Sequence, residues 1–261
     1  MIIINLPDLS KKQKIILYLL YQFRFLTINH LKKLLGHKNH HRINEWLNDL
    51  VTKGCIISYF NRKLSPEPGY YFLTAKSVAI LRTMEGVDKK ALRLFNREHK
   101  KKKRFINHSF LVAEIFIHYL DLAQGDQVQF LTRTQMDSDE FMMEQKPDAY
   151  ISISSNGQVL KRYFLEIIDP GTFKKIAYNR IDQYIKYAEQ DEWQRTTGHP
   201  FPDVLVVCPD LELKHKIFRF LKAVMNEHSY ADITFHLATR EVIKYHGVVK
   251  SVWQRAGFAT T

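Results

Sequence analysis

Cysteine is almost missing from the chain: Cys55 and Cys208 are the two among 261 residues. Two thiols cannot build a disulfide framework or a Cys-rich zinc site, so the expected compartment is the cytoplasm. Glycine and proline are scarce too, at 10 and 8 residues, which excludes collagen-like and linker-dominated chains. No apolar run approaches the roughly 20 residues that cross a bilayer, and no membrane partner is expected. Met1 to Leu6 is apolar but short, has no basic residues before it and leads into Pro7-Asp8, so it does not read as a signal peptide. Acidic residues are scarce in one part only. Residues 1–104 hold 22 Lys and Arg against 7 Asp and Glu, a net of +15, whereas residues 105–261 hold 17 against 20, a net of −3. Such segregation points to one part that meets a polyanion and another with a different task. The remainder is ordinary globular composition, with 45% hydrophobic and 25% charged residues.

Within the basic part, Ser10 is placed to cap a helix running to about Phe23, with Ile15, Ile16, Leu19, Leu20 and Phe23 at helical spacing. Thr27 caps a second short helix that Gly36 ends. A third helix is expected from about His41 to Lys53, its buried stripe formed by Ile43, Trp46, Leu47 and Leu50. Two β-type runs follow, residues 55–60 and 69–73, joined by a loop that carries Arg62, Lys63 and two prolines. Thr74 caps a closing helix. Three helices, a hairpin and a helix make a winged helix-turn-helix over residues 1–85. A helix that enters the DNA major groove needs polar and basic side chains opposite its buried stripe. Arg42, Asn44, Glu45 and Asn48 supply them, preceded by Lys38, Asn39, His40 and His41. Arg and Asn can pair with two atoms of a guanine or adenine edge. Arg62 and Lys63 at the hairpin tip are expected on phosphates. The spacing of His30, His37, His40 and His41 does not put two ligands on one helical face, and no Cys or carboxylate cluster joins them, so a metal site is not expected there.

Residues 86–104 read as a basic linker ending in Lys100-Lys101-Lys102-Lys103-Arg104, a run that attracts a phosphate backbone whatever its sequence. From residue 105 to 250 the pattern is helix, strand, two strands around Asn156-Gly157, helix, buried strand (203–208), helix and strand. This is a mixed sheet covered by helices, hence an α/β fold, with residues 251–261 left as a tail. A strict two-residue Asn-Gly turn would send Asp148 and Glu166 to opposite faces. A three-residue loop ending in Gly157 with a bulge puts them on one face, and it is preferred because the packed face becomes more apolar.

Lys146-Pro147-Asp148, a hairpin and then Phe164-Leu165-Glu166 resemble the core of the PD-(D/E)XK nuclease superfamily. That resemblance implies Asp148 and Glu166 as divalent-metal ligands, Glu114 on the leading helix as a third acid, and Mg²⁺ or Mn²⁺ as cofactor. Gln183-Tyr184-Ile185-Lys186-Tyr187 resembles the Q-x-x-x-Y element of an exonuclease-like branch. The lysine that should stand two residues after the second acid is Ile168, and Lys186 is the first candidate for a relocated cation. The wider combination, with the winged helix, His108, Pro147-Asp148, Phe164-Leu165-Glu166 and the turn Asp169-Pro170-Gly171-Thr172, is similar to the replication-relaxation family of plasmids and mobile elements. The usual E-x-D before Gly-Thr is one residue longer here, Glu166 to Asp169. The resemblance implies a role in DNA replication or its control, and together with the basic winged helix it gives the expectation of a protein that binds double-stranded DNA in replication or transcription control, with a homodimer as one arrangement. Its nuclease-like domain is expected to be inactive and to need no cofactor. The alternative is a metal-dependent DNA endonuclease that uses Asp148, Glu166 and Lys186. A third reading makes the C-terminal domain a protein-binding scaffold.

Overall fold

A computed structural model describes residues 7–60, 68–227 and 233–256. The chain divides into two compact units that meet in sequence at Ile117 and His118.

The first unit starts with α1, Lys11–Phe23, whose N-terminus is closed by a capping box between Ser10 and Gln13. Its inner face buries Ile16, Leu17, Leu20 and Tyr21. The two-residue strand β1, Leu26–Thr27, leads into α2, Ile28–Leu34, which Thr27 caps. Gly36 carries the positive φ of +67° that lets the chain turn away from α2. Then come α3, His41–Thr52, the strands β2, Ile56–Tyr59, and β3, Tyr70–Leu73, and α4, Ala75–Leu81, capped by Thr74. The sheet order is β1-β3-β2 with both pairings antiparallel. Phe25, Phe72 and Ile106 form one apolar cluster of this unit, with Tyr70, Phe105 and Phe110 packed on it.

Residues 86–104, the expected basic linker, carry structure of their own. They hold two 3-10 turns, Ala91–Phe95 and Glu98–Lys100, and Ala91, Leu92 and Phe95 are buried. Glu98 is buried as well and is held by Arg24, which also donates to the Leu94 carbonyl at 2.6 Å. The charge of the segment hides its regular apolar anchors. Helix α5, Lys103–Leu122, follows after the extended Lys101 and runs past the division between the units.

The second unit is built on a six-stranded mixed sheet in chain order: β4, Gln127–Thr132; β5, Ala149–Ser155; β6, Gln158–Ile167; β7, Asp203–Cys208; β8, Phe235–Thr239; β9, Gln254–Ala256. The β6–β7 and β7–β8 pairings are parallel and the others antiparallel. Parallel pairing requires crossovers. These are supplied by α6, Lys174–Glu189, with α7, Glu192–Thr197, and by α8, Leu211–Glu227. Helix α9, Arg240–His246, lies between β8 and β9, whose antiparallel pairing needs no crossover. Side chains of β6, β7 and β8 at Phe164, Val204, Val206, Phe235 and Leu237 pack with Ile181, Tyr184, Ile217 and Leu221 of α6 and α8 in one core. The expected tail pairs in part: Gln254–Ala256 continues the sheet beside β8, because Ala256 closes the apolar core there.

The hairpin between β5 and β6 combines both expected geometries. The turn is the two-residue Asn156-Gly157, with φ of +49° and +79°, which these residues tolerate. The extra residue sits in β6 instead of the loop. Ser154 pairs with Val159 and Ile153 with Lys161, which leaves Leu160 as a bulge. Beyond the bulge Tyr150 pairs with Phe164, so Asp148 and Glu166, two residues outward on each strand, share its face. No helix of the described residues is long and apolar enough to cross a membrane.

Candidate functional site

Helix α3 buries Ile43, Leu47 and Leu50 and turns Arg42, Asn44, Glu45 and Asn48 to solvent. Arg42 Nη1 donates to Glu45 at 2.9 Å and His41 Nδ1 lies 3.3 Å from the same carboxylate, so the exposed face is partly pre-set by its own ion pairs. Lys38 and Asn39 are exposed just before the helix, and His40 is half-buried at its start. Trp46 is half-buried as well, with its ring edge-on to His37 at 5.2 Å. It edges the core and does not sit at its centre. Arg62 and Lys63 lie outside the described residues.

Lys100, Lys102, Lys103 and Arg104 are exposed, while Lys101 is half-buried with Nζ 5.0 Å from the centre of the Phe105 ring. The buried Arg24–Glu98 pair fixes the base of this run. His30 is used inside the unit: Nδ1 accepts from the Thr27 backbone N–H at 3.3 Å, and Nε2 faces Glu114 at 3.6 Å. Glu114 therefore belongs to the first unit, with His30, and Asp148 and Glu166 to the second.

The two hairpin acids do come together, but around arginines. Glu166 Oε2 accepts from Arg180 Nη2 at 2.8 Å and from the Tyr184 hydroxyl at 2.9 Å. Arg180 also donates to the carbonyls of Gln145 and Lys146, at 2.5 and 2.9 Å, and to Gln183 Oε1 at 3.0 Å. Asp148 Oδ2 accepts the Ile167 backbone N–H at 2.7 Å, and Oδ1 pairs with Arg133 at 2.9 Å. Burial, with Glu166 beside it, holds the Tyr184 hydroxyl well above its ordinary pKa, so it stays a neutral donor. Burial works against the Arg180 charge, but the carboxylates of Glu166 and Asp148 outweigh it and raise the guanidinium's proton affinity.

Lys186 is not in this cluster. It is 66% exposed and pairs with Asp182 on its own helix at 2.7 Å. Ile168 is buried in the apolar core. A divalent cation needs free carboxylate oxygens. Three of the four here already accept charged or backbone donors, and a buried guanidinium stands where the cation would be repelled, so the acid pair does not fit a metal. Among the described residues no group of three or more His, Cys, Asp and Glu side chains gathers to hold one. Arg180, Tyr184 and Arg133 escape a reading of the sequence. The signal for Arg180 was its place on the buried stripe of α6 between Ala177 and Tyr184, where a charge requires a partner. The following turn is pinned by an ion pair between Asp169 and Arg240.

No curated protein matches the chain at a significant level. Residues 17–204, which take in most of the first unit, the acid–arginine hairpin and α6, match the replication-relaxation family. The chain belongs to the replication-relaxation family.

Proposed function

We propose that the first unit is a winged-helix module that binds double-stranded DNA, and that the second is a PD-(D/E)XK-like domain retained without nuclease activity. The protein then acts in replication or its control on a plasmid or another mobile element. The observation that carries the reading is the exposed face of α3, where Arg42, Asn44 and Asn48 stand opposite the buried Ile43, Leu47 and Leu50. That is the division a recognition helix needs, with base-reading groups outward and an apolar anchor inward. The net +15 of residues 1–104 supplies the sequence-independent attraction to phosphate. Loss of nuclease function is supported by Arg180 and Tyr184 on Glu166 and by the apolar Ile168. Gel shift and cleavage of plasmid DNA by the full chain, with and without Mg²⁺ or Mn²⁺, test both halves. Salt-sensitive binding without cleavage is expected.

A further inference from the structure

The face of the second unit's sheet opposite α6 and α8 carries a cleft of about 740 Å³ that the acid–arginine cluster does not enter. Its position follows from strand alternation. Phe164 and Glu166 turn toward α6, so Lys161, Tyr163 and Leu165 turn to the other side. Register brings Tyr163 beside Asp203, Leu205 beside His236, and His236 beside Arg255. The volume lies in the ordinary range for small organic ligands.

The lining divides by chemistry. Val128, Ile153 and Leu205 give apolar surface, and Tyr163 and Trp253 give flat aromatic faces. The Trp253 indole is anchored through Nε1, which donates to the Val248 carbonyl at 3.3 Å. Asp203 Oδ2 and His236 Nε2 are 3.0 Å apart, with the carboxylate 42% exposed. Burial, aided by Asp203, pushes the Tyr163 hydroxyl up to about 12, so it remains a donor at neutral pH. Lys161 lies on one side, with Lys250 and Arg255 on the other. These cations stand out because residues 118–261 hold 17 Lys and Arg against 19 Asp and Glu.

We propose that this cleft binds a nucleotide, its base against the Trp253 and Tyr163 rings, its amino edge toward Asp203, and its phosphate toward Lys250 and Arg255. A flat ring system uses the aromatic and apolar walls. A carboxylate only accepts, which suits the exocyclic amine of a base. Cations at the rim suit a phosphate. The nucleotide can be free or can belong to a single strand, since both present the same groups. The inference is independent of DNA binding by the first unit.

The experiment is calorimetric titration of the full chain with each of the common nucleoside monophosphates, with the corresponding nucleosides, with inorganic phosphate, and with a short single-stranded oligonucleotide. Saturable binding of a monophosphate is expected, at least about tenfold tighter than its nucleoside or phosphate alone. Lys250→Ala with Arg255→Ala should weaken it at least about tenfold, and Arg255→Ala alone gives a second, single-site variant should the double variant fold poorly. If the ligand is part of a strand, the oligonucleotide binds more tightly than the monophosphate and responds to the same variants. Lys222→Ala, at an exposed position of α8 outside the cleft, leaves the monophosphate unchanged. The proposal is overturned if neither monophosphate nor oligonucleotide binds saturably, if phosphate alone binds as well, or if folded cleft variants bind like the wild type.

Discussion

Arg180 Nη2 lies 2.8 Å from Glu166 Oε2, joining the second turn of α6 to the end of β6, and both side chains are shielded from solvent. A buried pair of this kind is costly to break, because the surviving charge keeps its desolvation penalty. Arg180→Ala or Glu166→Ala should each destabilise the second unit by about 3–5 kcal/mol. Replacing both with apolar side chains of similar volume should restore most of that loss. Urea denaturation of the full chain, both single variants and the double variant checks it. Additive losses in the double variant would show that the two side chains act separately.

DNA affinity should separate into two parts. Arg42→Ala with Asn44→Ala should reduce sequence preference, at about 1–3 kcal/mol for each two-atom pairing with a base edge that the substitution removes. Substitution of Lys100, Lys102 and Lys103 by Ala should weaken binding to every sequence and flatten its salt dependence. Binding titrations over a salt series distinguish the two. Identical curves for the wild type and both variants would remove α3 and the basic run from the interface.

Local signals are the ones legible in the sequence. Ser10, Thr27 and Thr74 announce the starts of α1, α2 and α4 because capping is decided within three residues. The strand at 203–208 has the same limits in the structure, since it is a nearly unbroken apolar run. What escapes is non-local or short. Strand β1 has two residues and exists through Tyr70 and Tyr71. Strand β9 exists through β8. Helices α7 and α9 are too short to show a period. The shared face of Asp148 and Glu166 was legible, but by the wrong device: the register shift lies at Leu160, inside the strand. The sequence offers the acids with Lys186 as the candidate site and gives no sign of the arginines that hold them, because these come from β4's end and from α6.

Trp46 offers a graded test of burial. Since its ring is half-buried against His37, Trp46→Ala should cost less than the about 3–5 kcal/mol of a fully buried aromatic. Thermal unfolding gives the value. A loss in the full range would place the indole in the core after all.

Asp49 ties α3 to α1. The hydrogen bond from Lys53 at 2.6 Å, and then that from Gln13 at 2.5 Å, hold its carboxyl below the usual Asp value. A folded pKa below the unfolded one means stabilisation that is fully present above the unfolded value and lost as pH falls through the folded one. Asp49→Asn should therefore be less stable than the wild type at neutral pH, with the difference closing below about pH 4. Unfolding midpoints across that range check the sign.

Hydrolysis of a phosphodiester at the hairpin needs a metal on the acids and a cation near the attacking water. Here Arg180 and Tyr184 hold Glu166, Arg133 and the Ile167 N–H hold Asp148, Ile168 is apolar, and Lys186 is paired with Asp182. Plasmid DNA should remain uncut in Mg²⁺ or Mn²⁺. Metal-dependent cleavage abolished by Asp148→Ala or Glu166→Ala would overturn that. The reverse experiment is Ile168→Lys. Ile168 follows Glu166 by two residues on the same face, so the geometry admits a lysine there, yet the carboxylate it would serve is already neutralised. Ile168→Lys alone should restore nothing and should lower stability by burying a second cation beside Arg180. Combined with Arg180→Gln it removes one donor from Glu166 and supplies the missing lysine, but Tyr184, Arg133 and the Ile167 N–H still occupy the acids, so that pair should leave the DNA uncut as well. Cleavage by Ile168→Lys alone would mean that Arg180 yields Glu166 to the metal, and the hairpin would then be a working site lacking only its lysine.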